Sequence, residues 1–139
     1  MVQAKFRFAP PKKRSVASRQ ESKIFGESGE QIASHYLEEQ GCVILDRHYR
    51  KGHREVDIIA LDHGELAIIE VKTRSSDAIM QPEEAVNHQK RQNIIWVANN
   101  YVRRYSRKEP LRFDIIAIVH NENETRIKHI KNAFNVLNY

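Results

Sequence analysis

Three charged residues, Asp57, Glu70 and Lys72, lie within otherwise apolar segments of the chain. Side chains alternate between the two faces of a strand, so Glu70 and Lys72 continue the face that begins with the preceding apolar residues. Asp57 continues an apolar series of its own in the same way. A buried charge is costly unless it is paired or binds a metal, so this acidic pair beside a lysine needs a partner.

Metal-dependent phosphodiesterases use this combination of residue types. Asp57 and Glu70 could hold Mg²⁺ or Mn²⁺ through oxygen ligands, with the remaining positions left to water and a phosphate oxygen. Lys72 could orient or deprotonate the attacking water, or offset charge in the transition state. The other interpretation is an ion pair at the strand ends, Asp57–Lys72 or Glu70–Lys72, because a short E-x-K pattern is not specific.

A hairpin would bring the two carboxylates together. Residues 54–74 contain two apolar segments joined by the polar turn Asp62-His63-Gly64. Arg54 closes a basic loop before the first strand, and Arg74 follows the end of the second. Both arginines could contact nucleic-acid phosphates, although loops are also charged simply because they are solvated.

Two helices are predicted around this hairpin. Apolar residues recur at helical spacing over residues 22–40, with Gly41 as a stop. Glu30 lies on the flank of the apolar stripe, as an ordinary exposed glutamate or as one that faces the site. The second helix is predicted over residues 82–107, beginning at Pro82.

Two polar residues near the start of the second helix are candidates for phosphate contact. Lys90 lies among the packing residues of that helix, and Gln89 is beside it. Since the helix follows the E-x-K strand, its first turns should lie near the site. The alternative for Lys90 is an aliphatic stem packed on the core with its ammonium in water.

The remaining segments complete an α/β fold. A strand over residues 112–120, reached through a helical crossover, should lie parallel to the E-x-K strand. We expect Asp114 within it to form a salt bridge with Arg112 or Arg74. With strands at residues 42–49 and 126–130, the prediction is a mixed central sheet of four or five strands flanked by helices 22–40 and 82–107.

Length and charge indicate one domain with a basic extension. A chain of 139 residues suits a single core. Residues 1–20 contain six basic residues and no acid, whereas the rest has 17 basic and 18 acidic residues, a net charge of −1. We therefore expect a poorly ordered basic tail at residues 1–20 and a folded domain at residues 21–139. The tail could bind phosphate backbones or simply be solvated.

Composition also excludes several classes of protein. The single cysteine, Cys42, excludes an internal disulfide framework and a multi-cysteine zinc site. The seven histidines have no tight ligand spacing that would indicate zinc. No apolar run is long enough to span a membrane, and the N-terminus lacks a signal-peptide pattern. We expect a soluble, cytoplasmic protein with no membrane partner.

Several segments together resemble a known family. The hairpin resembles the core of the PD-(D/E)xK, or restriction-endonuclease-like, nucleases. In order, residues 29–33, 55–60, 70–74, 82–86 and 112–116 resemble the YraN family of small bacterial proteins, distantly similar to archaeal-type Holliday-junction resolvases. The resemblance implies a restriction-endonuclease-like fold, with Glu30 supporting the metal site. Val56 stands where the superfamily's motif has proline, but that proline supplies no ligand.

Two functions from different classes follow. The first is a Mg²⁺- or Mn²⁺-dependent deoxyribonuclease, possibly dimeric if it cuts DNA junctions, since a two-fold homodimer would present two sites. Asp57 and Glu70 would be its metal ligands, Lys72 its water-activating or charge-stabilising group. The second is a nucleic-acid-binding or assembly protein that keeps the fold without catalysis.

Overall fold

A computed structural model describes residues 2–6, 18–75 and 86–136, with backbone alone for residues 2–6 and 18–28. Six strands and two helices follow one another within these residues. In chain order they are β1 (Val2–Phe6), α1 (Ser18–Glu39), β2 (Val43–Lys51), β3 (Arg54–Asp62), β4 (Glu65–Arg74), α2 (His88–Arg104), β5 (Leu111–His120) and β6 (Thr125–Phe134).

The six strands form one mixed sheet in the order β1-β6-β5-β4-β3-β2. Strands β4 and β5 are parallel, because the chain returns through α2 before it enters β5. The other four neighbouring pairs are antiparallel. The predicted mixed sheet with flanking helices is therefore confirmed, although it has six strands and not four or five. The parallel crossover after the E-x-K strand is also confirmed.

The two helices cover opposite faces of the sheet. Helix α1 packs on one apolar cluster, to which β4 contributes Ala67 and Ile69. Helix α2 packs on the other cluster, to which β4 contributes Leu66 and Ile68. The alternation predicted for β4 is thus present. Glu70 and Lys72, which follow in the series of Ile68, belong to the α2 side.

The basic N-terminal segment differs from the prediction. Residues Val2–Phe6 form β1, which pairs antiparallel with the edge of β6, and α1 already begins at Ser18. The sequence of β1, VQAKF, alternates apolar and polar residues, a strand signal that the high density of basic residues obscured. Residues 7–17 lie outside the described residues.

Helix α2 is shorter than predicted at both ends. Asn87 has extended backbone angles, and its side chain accepts a hydrogen bond from the Lys90 N–H at 2.9 Å. Asparagine is a preferred helix N-cap, so the helix begins at His88. The expected start at Pro82 lies outside the described residues. At the other end Ser106 has a positive φ of 51°, which ends the helix before residue 107.

In the ranges that the structure describes, neither helix is long and apolar enough to cross a membrane.

Candidate active site

Asp57 lies where β3 and β4 separate. The two strands pair from Asp62 and Glu65 as far as Ile58 and Ile69. Beyond that point the Asp57 carboxylate accepts a hydrogen bond from the Val71 N–H at 2.8 Å. The carboxylate thus satisfies a strand N–H group that would otherwise lose its ladder partner. This bond fixes the Asp57 side chain against β4, next to the position of Glu70.

Glu70 is the buried centre of the site, with 3% of its surface exposed. The ammonium groups of Lys72 and Lys90 each lie 3.6 Å from its Oε1 atom. Its Oε2 atom is buried and has no hydrogen-bond partner among the described residues. Burial, the negative charge of Asp57 and a hydrogen bond between the two carboxyl groups raise the pKa of Glu70 to about 7, although both lysines act in the opposite direction. Two carboxyl groups can share a hydrogen bond only when one of them is protonated, so with both ionised Oε2 has no partner.

An unpartnered buried carboxylate oxygen beside a second carboxylate suits a hard cation. Mg²⁺ is commonly held by one or two carboxylates, with water and substrate phosphate completing its coordination. In the described part of the chain, no group of three or more His, Cys, Asp or Glu residues is arranged to hold a metal. Asp57 and Glu70 are the two neighbouring carboxylates here that could hold such an ion.

Helix α1 reaches this end of the sheet through Gly29. A Cβ atom added at Gly29 would collide with Thr73 Oγ1 and lie 3.1 Å from the Thr73 Cβ. The absent side chain therefore permits the close packing of α1 on β4 that brings Glu30 to the site. Burial raises the pKa of Glu30, and the Asp57 charge raises it further, so the two carboxylates are electrostatic neighbours.

Glu30 does not contact Glu70 directly but pairs with a residue that the sequence analysis missed. Its Oε2 atom lies 2.5 Å from His48 Nε2, and His48 Nδ1 lies 3.0 Å from Glu55 Oε1. The hydrogen bond to Glu55 is the main cause of a raised pKa at His48. Arg50 also donates to Glu55, at 2.8 Å. These residues form a second charged layer outside Asp57.

Two of the four residues proposed for phosphate contact meet on α2. Arg54 Nε and Gln89 Nε2 both donate to the side-chain oxygen of Asn93, at 3.2 Å in each case. The Arg54 guanidinium also lies 4.2 Å from the centroid of the Trp96 ring. Lys90, the third, is one of the two lysines that pair with Glu70.

The fourth residue, Arg74, is exposed at the end of β4. Its guanidinium donates to the carbonyl of the adjacent Thr73 at 2.9 Å. This local hydrogen bond does not join Arg74 to the other three.

The profile of the family described as "Uncharacterised protein family UPF0102" matches residues 29–118. This chain belongs to the UPF0102 family. The match includes Glu30, Asp57, Glu70 and Lys72.

Several bacterial UPF0102 proteins are similar over most of their length. One from Bacteroides fragilis is 44% identical over 114 residues, which cover 82% of this chain and 94% of that protein. One from Bacteroides thetaiotaomicron is 46% identical over 109 residues, or 78% and 90% of the two chains. One from Thermodesulfovibrio yellowstonii is 42% identical over 109 residues, or 78% and 94%.

A solved structure, Pyrococcus furiosus SfsA in complex with Ca²⁺, is distantly similar to this UPF0102 chain. The likeness covers 79% of the chain and 63% of SfsA, at 10% sequence identity and a TM-score of 0.31. The likeness thus spans less than two thirds of that protein.

The salt bridge predicted for Asp114 is confirmed in this UPF0102 protein, with Arg112 as the partner. It lies apart from Glu70. Arg112 donates to both Asp114 oxygens, at 2.9 and 2.8 Å, and to Asp62 at 2.7 Å. His129 Nε2 lies 2.7 Å from Asp114 Oδ2. Because every one of these residues is buried and paired, the network stabilises the sheet and offers no free group for catalysis.

Proposed function

We propose that this protein is a Mg²⁺- or Mn²⁺-dependent endonuclease that hydrolyses phosphodiester bonds in DNA. The observation that carries the proposal is Glu70, whose buried Oε2 atom lacks a partner beside Asp57. A carboxylate that only completed an ion pair would not need a second carboxylate as its neighbour. The two lysines support a site that handles both a cation and a phosphate.

The side chains have distinct roles in this proposal. Asp57 and Glu70 hold the cation, and Asp57 keeps its orientation through its hydrogen bond to Val71. The bound ion would supply an activated water and offset negative charge on the phosphate. Lys72 orients that water or stabilises the transition state, because its ammonium lies on the same face as Glu70. Glu30 supports the site from its edge, where it pairs with His48 and its pKa is raised in part by the Asp57 charge.

The substrate would lie along the α2 side of the sheet. Lys90 is 3.6 Å from Glu70 and half-exposed, so it can turn from that carboxylate to a phosphate oxygen. Arg54 and Gln89 share Asn93 further along, and Arg74 is exposed at the end of β4. If the substrate is branched DNA, we propose that a homodimer presents two such sites to it.

A second candidate is a nucleic-acid-binding or assembly protein without catalysis. One observation favours it: two lysines already balance the charge of Glu70. However, both ion pairs are 3.6 Å long and leave Oε2 without a partner, so they do not satisfy this carboxylate.

Cleavage of a panel of labelled DNAs separates the two candidates. Single strands, duplexes, flaps and junctions are incubated with Mg²⁺, Mn²⁺ or EDTA. We expect metal-dependent products with the parent and with Asp46→Asn, a matched control outside the proposed site, but none with Asp57→Asn. If the parent cuts no DNA with either metal, while Asp57→Asn binds DNA as the parent does, the binding protein is the correct candidate.

A further inference from the structure

The outer face of α2 has an unusual composition. Its exposed positions recur at spacings of three and four residues, which align them in one stripe along the helix: Gln89, Gln92, Trp96, Asn99 and Arg103. The whole helix contains four basic residues and neither Asp nor Glu. A helix face that is merely solvated usually mixes charges of both signs. This stripe instead combines amides, an aromatic ring and a cation.

Trp96 is the central residue of this stripe. It is the single tryptophan of the chain, and 40% of its surface is exposed. The neighbouring residues Ile94, Ile95 and Val97 already fill the core beneath the helix, so Trp96 is not needed there. Arg54 covers part of the ring, at 4.2 Å from its centroid. An exposed aromatic ring beside a cation is the arrangement that proteins use to stack bases of a single strand.

The stripe is continuous with the candidate active site. Lys90, whose ammonium lies at Glu70, follows Gln89, and Gln89 shares the Asn93 oxygen with Arg54. Seven residues separate Gln89 from Trp96, which is about 10 Å along a helix that rises 1.5 Å per residue. Within a duplex, one DNA strand advances about 3.4 Å per nucleotide, and an unpaired strand can extend further. A strand that passes Lys90 would therefore meet Trp96 within about three nucleotides.

We propose that the outer face of α2 binds an unpaired stretch of the DNA strand and stacks one of its bases on Trp96. In a duplex the faces of the bases are covered by their neighbours, so only an unpaired base can stack on the ring. Arg103 on this stripe and Lys90 beside its start complement the phosphates, and the helix carries no Asp or Glu that would oppose them. The proposal rests on the proposed function, because it takes this strand to be the one cut at Glu70.

Fluorescence of Trp96 tests the stacking directly, because no other tryptophan contributes. The full chain in EDTA, which prevents cleavage, is titrated with a 12-nucleotide single strand and with the matching duplex. We expect saturable quenching by the single strand and much weaker quenching by the duplex at equal concentration.

Binding of the same oligonucleotides, labelled and followed by anisotropy, tests the energetic role of Trp96. Since base–aromatic stacking is worth about 1–3 kcal/mol, Trp96→Ala should weaken single-strand binding roughly 5- to 150-fold. Trp96→Phe should weaken it less. Val43→Ala is the control, because Val43 is also apolar and exposed but begins β2. Thermal unfolding of each variant checks folding, and Trp96→Phe keeps a ring if the alanine variant is unstable.

The proposal is overturned if Trp96→Ala binds the single strand as tightly as the parent. It is also overturned if the substitution weakens single-strand and duplex binding equally, since the ring would then recognise no unpaired base. These results are independent of catalysis. A protein that cuts nothing, but whose Trp96 is quenched by a single strand, retains this surface and loses the proposed nuclease activity. A protein that cuts DNA but whose Trp96 is not quenched has the proposed nuclease activity and lacks this stacking surface.

Discussion

Glu70 occupies a position in which burial and the Asp57 charge both disfavour its ionised form. Lys72 and Lys90 oppose this effect from one side, at Oε1, and leave Oε2 unpaired. Such an arrangement is costly for stability alone, because a buried charge needs full compensation. In the proposed function, a divalent cation between Asp57 and Glu70 would supply that compensation.

The raised pKa of Glu70 predicts a dependence of stability on pH. Its folded value of about 7 exceeds the ordinary value of 4.5, so the folded state binds more protons between these two values. The free energy of unfolding should therefore fall as pH rises from about 4.5 to about 7. Glu70→Gln, which cannot ionise, should be more stable than the parent at pH 8 by roughly 2–3 kcal/mol.

Urea denaturation at pH 5 and pH 8 without metal measures this difference. The matched control is Glu122→Gln, an exposed glutamate in the turn before β6. The ion pairs of His48 with Glu30 and Glu55 also weaken at high pH. Because the parent and both variants share these pairs, their contribution to the free energy of unfolding cancels in the comparison. Parallel pH profiles of the parent and Glu70→Gln would contradict the assignment.

The sequence contains much of this site but not all of it. Strand alternation alone places Glu70 with Lys72, and a tight turn brings Asp57 back beside them. The sequence identifies Lys90 as a candidate site residue but does not identify Glu70 as its partner, because the Lys90–Glu70 contact depends on how α2 packs on the sheet. No pattern in the sequence predicts that His48 joins the site. Its positive φ of 51°, close to an irregularity in the β2–β3 register, is a tertiary feature that no spacing predicts.

Among the elements, α1 and β4 are linked by an unusually close contact. Gly29 lies against Thr73, and the same turn of α1 carries Glu30. A larger residue at position 29 must move the helix away from the sheet, and Glu30 with it. The charged layer around His48 would then separate from Asp57.

Gly29→Ala should therefore destabilise the fold by roughly 1–3 kcal/mol, the usual cost of overpacking. Thr73→Ala removes the colliding Oγ1 atom, so the double variant should recover part of that loss. A double-mutant cycle by thermal or urea unfolding measures the coupling. Gly52→Ala is a comparison variant. Its added Cβ atom meets open space, so any loss of stability there comes from the strain of a positive φ, which Gly29 does not have. Additive effects of Gly29→Ala and Thr73→Ala would show that the two residues do not clash.

The elements themselves were predictable to different degrees. Long periodic segments gave α1, β3, β4 and β5 in the correct order, and the crossover rule gave the parallel pairing of β4 with β5. The described start of α2 at His88 depends on the Asn87 N-cap, which the apolar spacing did not identify, and the expected start at Pro82 lies outside the described residues. Strand β1 was missed because five residues of weak alternation cannot predict a partner as distant as β6.

At the scale of the whole molecule, two polar regions on β4 and its neighbours have different characters. In the network of Arg112, Asp114 and His129, hydrogen bonds from His129 and Arg112 lower the pKa of Asp114 against the effect of burial. All its members are paired. The region around Glu70 is incompletely paired and is bordered by half-exposed lysines. The first region stabilises the sheet, and the second is the one that we propose binds a cation.

The excess positive charge of the molecule lies in its first twenty residues, so these should contribute to DNA affinity. Substituting Lys12, Lys13 and Arg14 together with glutamine leaves the sequence of β1 intact. If all three contact phosphates, the slope of log affinity against log salt should fall by about 2 to 3, at 0.9 per phosphate contact on duplex DNA. Anisotropy titrations between 50 and 200 mM salt measure it. An unchanged slope would mean that the folded domain alone carries the contacts.

The central claim, that Asp57 and Glu70 hold a catalytic cation, is tested most directly by calorimetric titration with Mn²⁺ of the parent, Lys72→Ala and Asp57→Asn. The account predicts one binding site in the parent and in Lys72→Ala, because the lysine ligates nothing. It predicts no site in Asp57→Asn, since an amide removes one of the two charges that hold the ion. Thermal unfolding must first show that all three proteins are folded. A parent that binds no Mn²⁺, or an Asp57→Asn variant that binds it as tightly as the parent, would contradict the account.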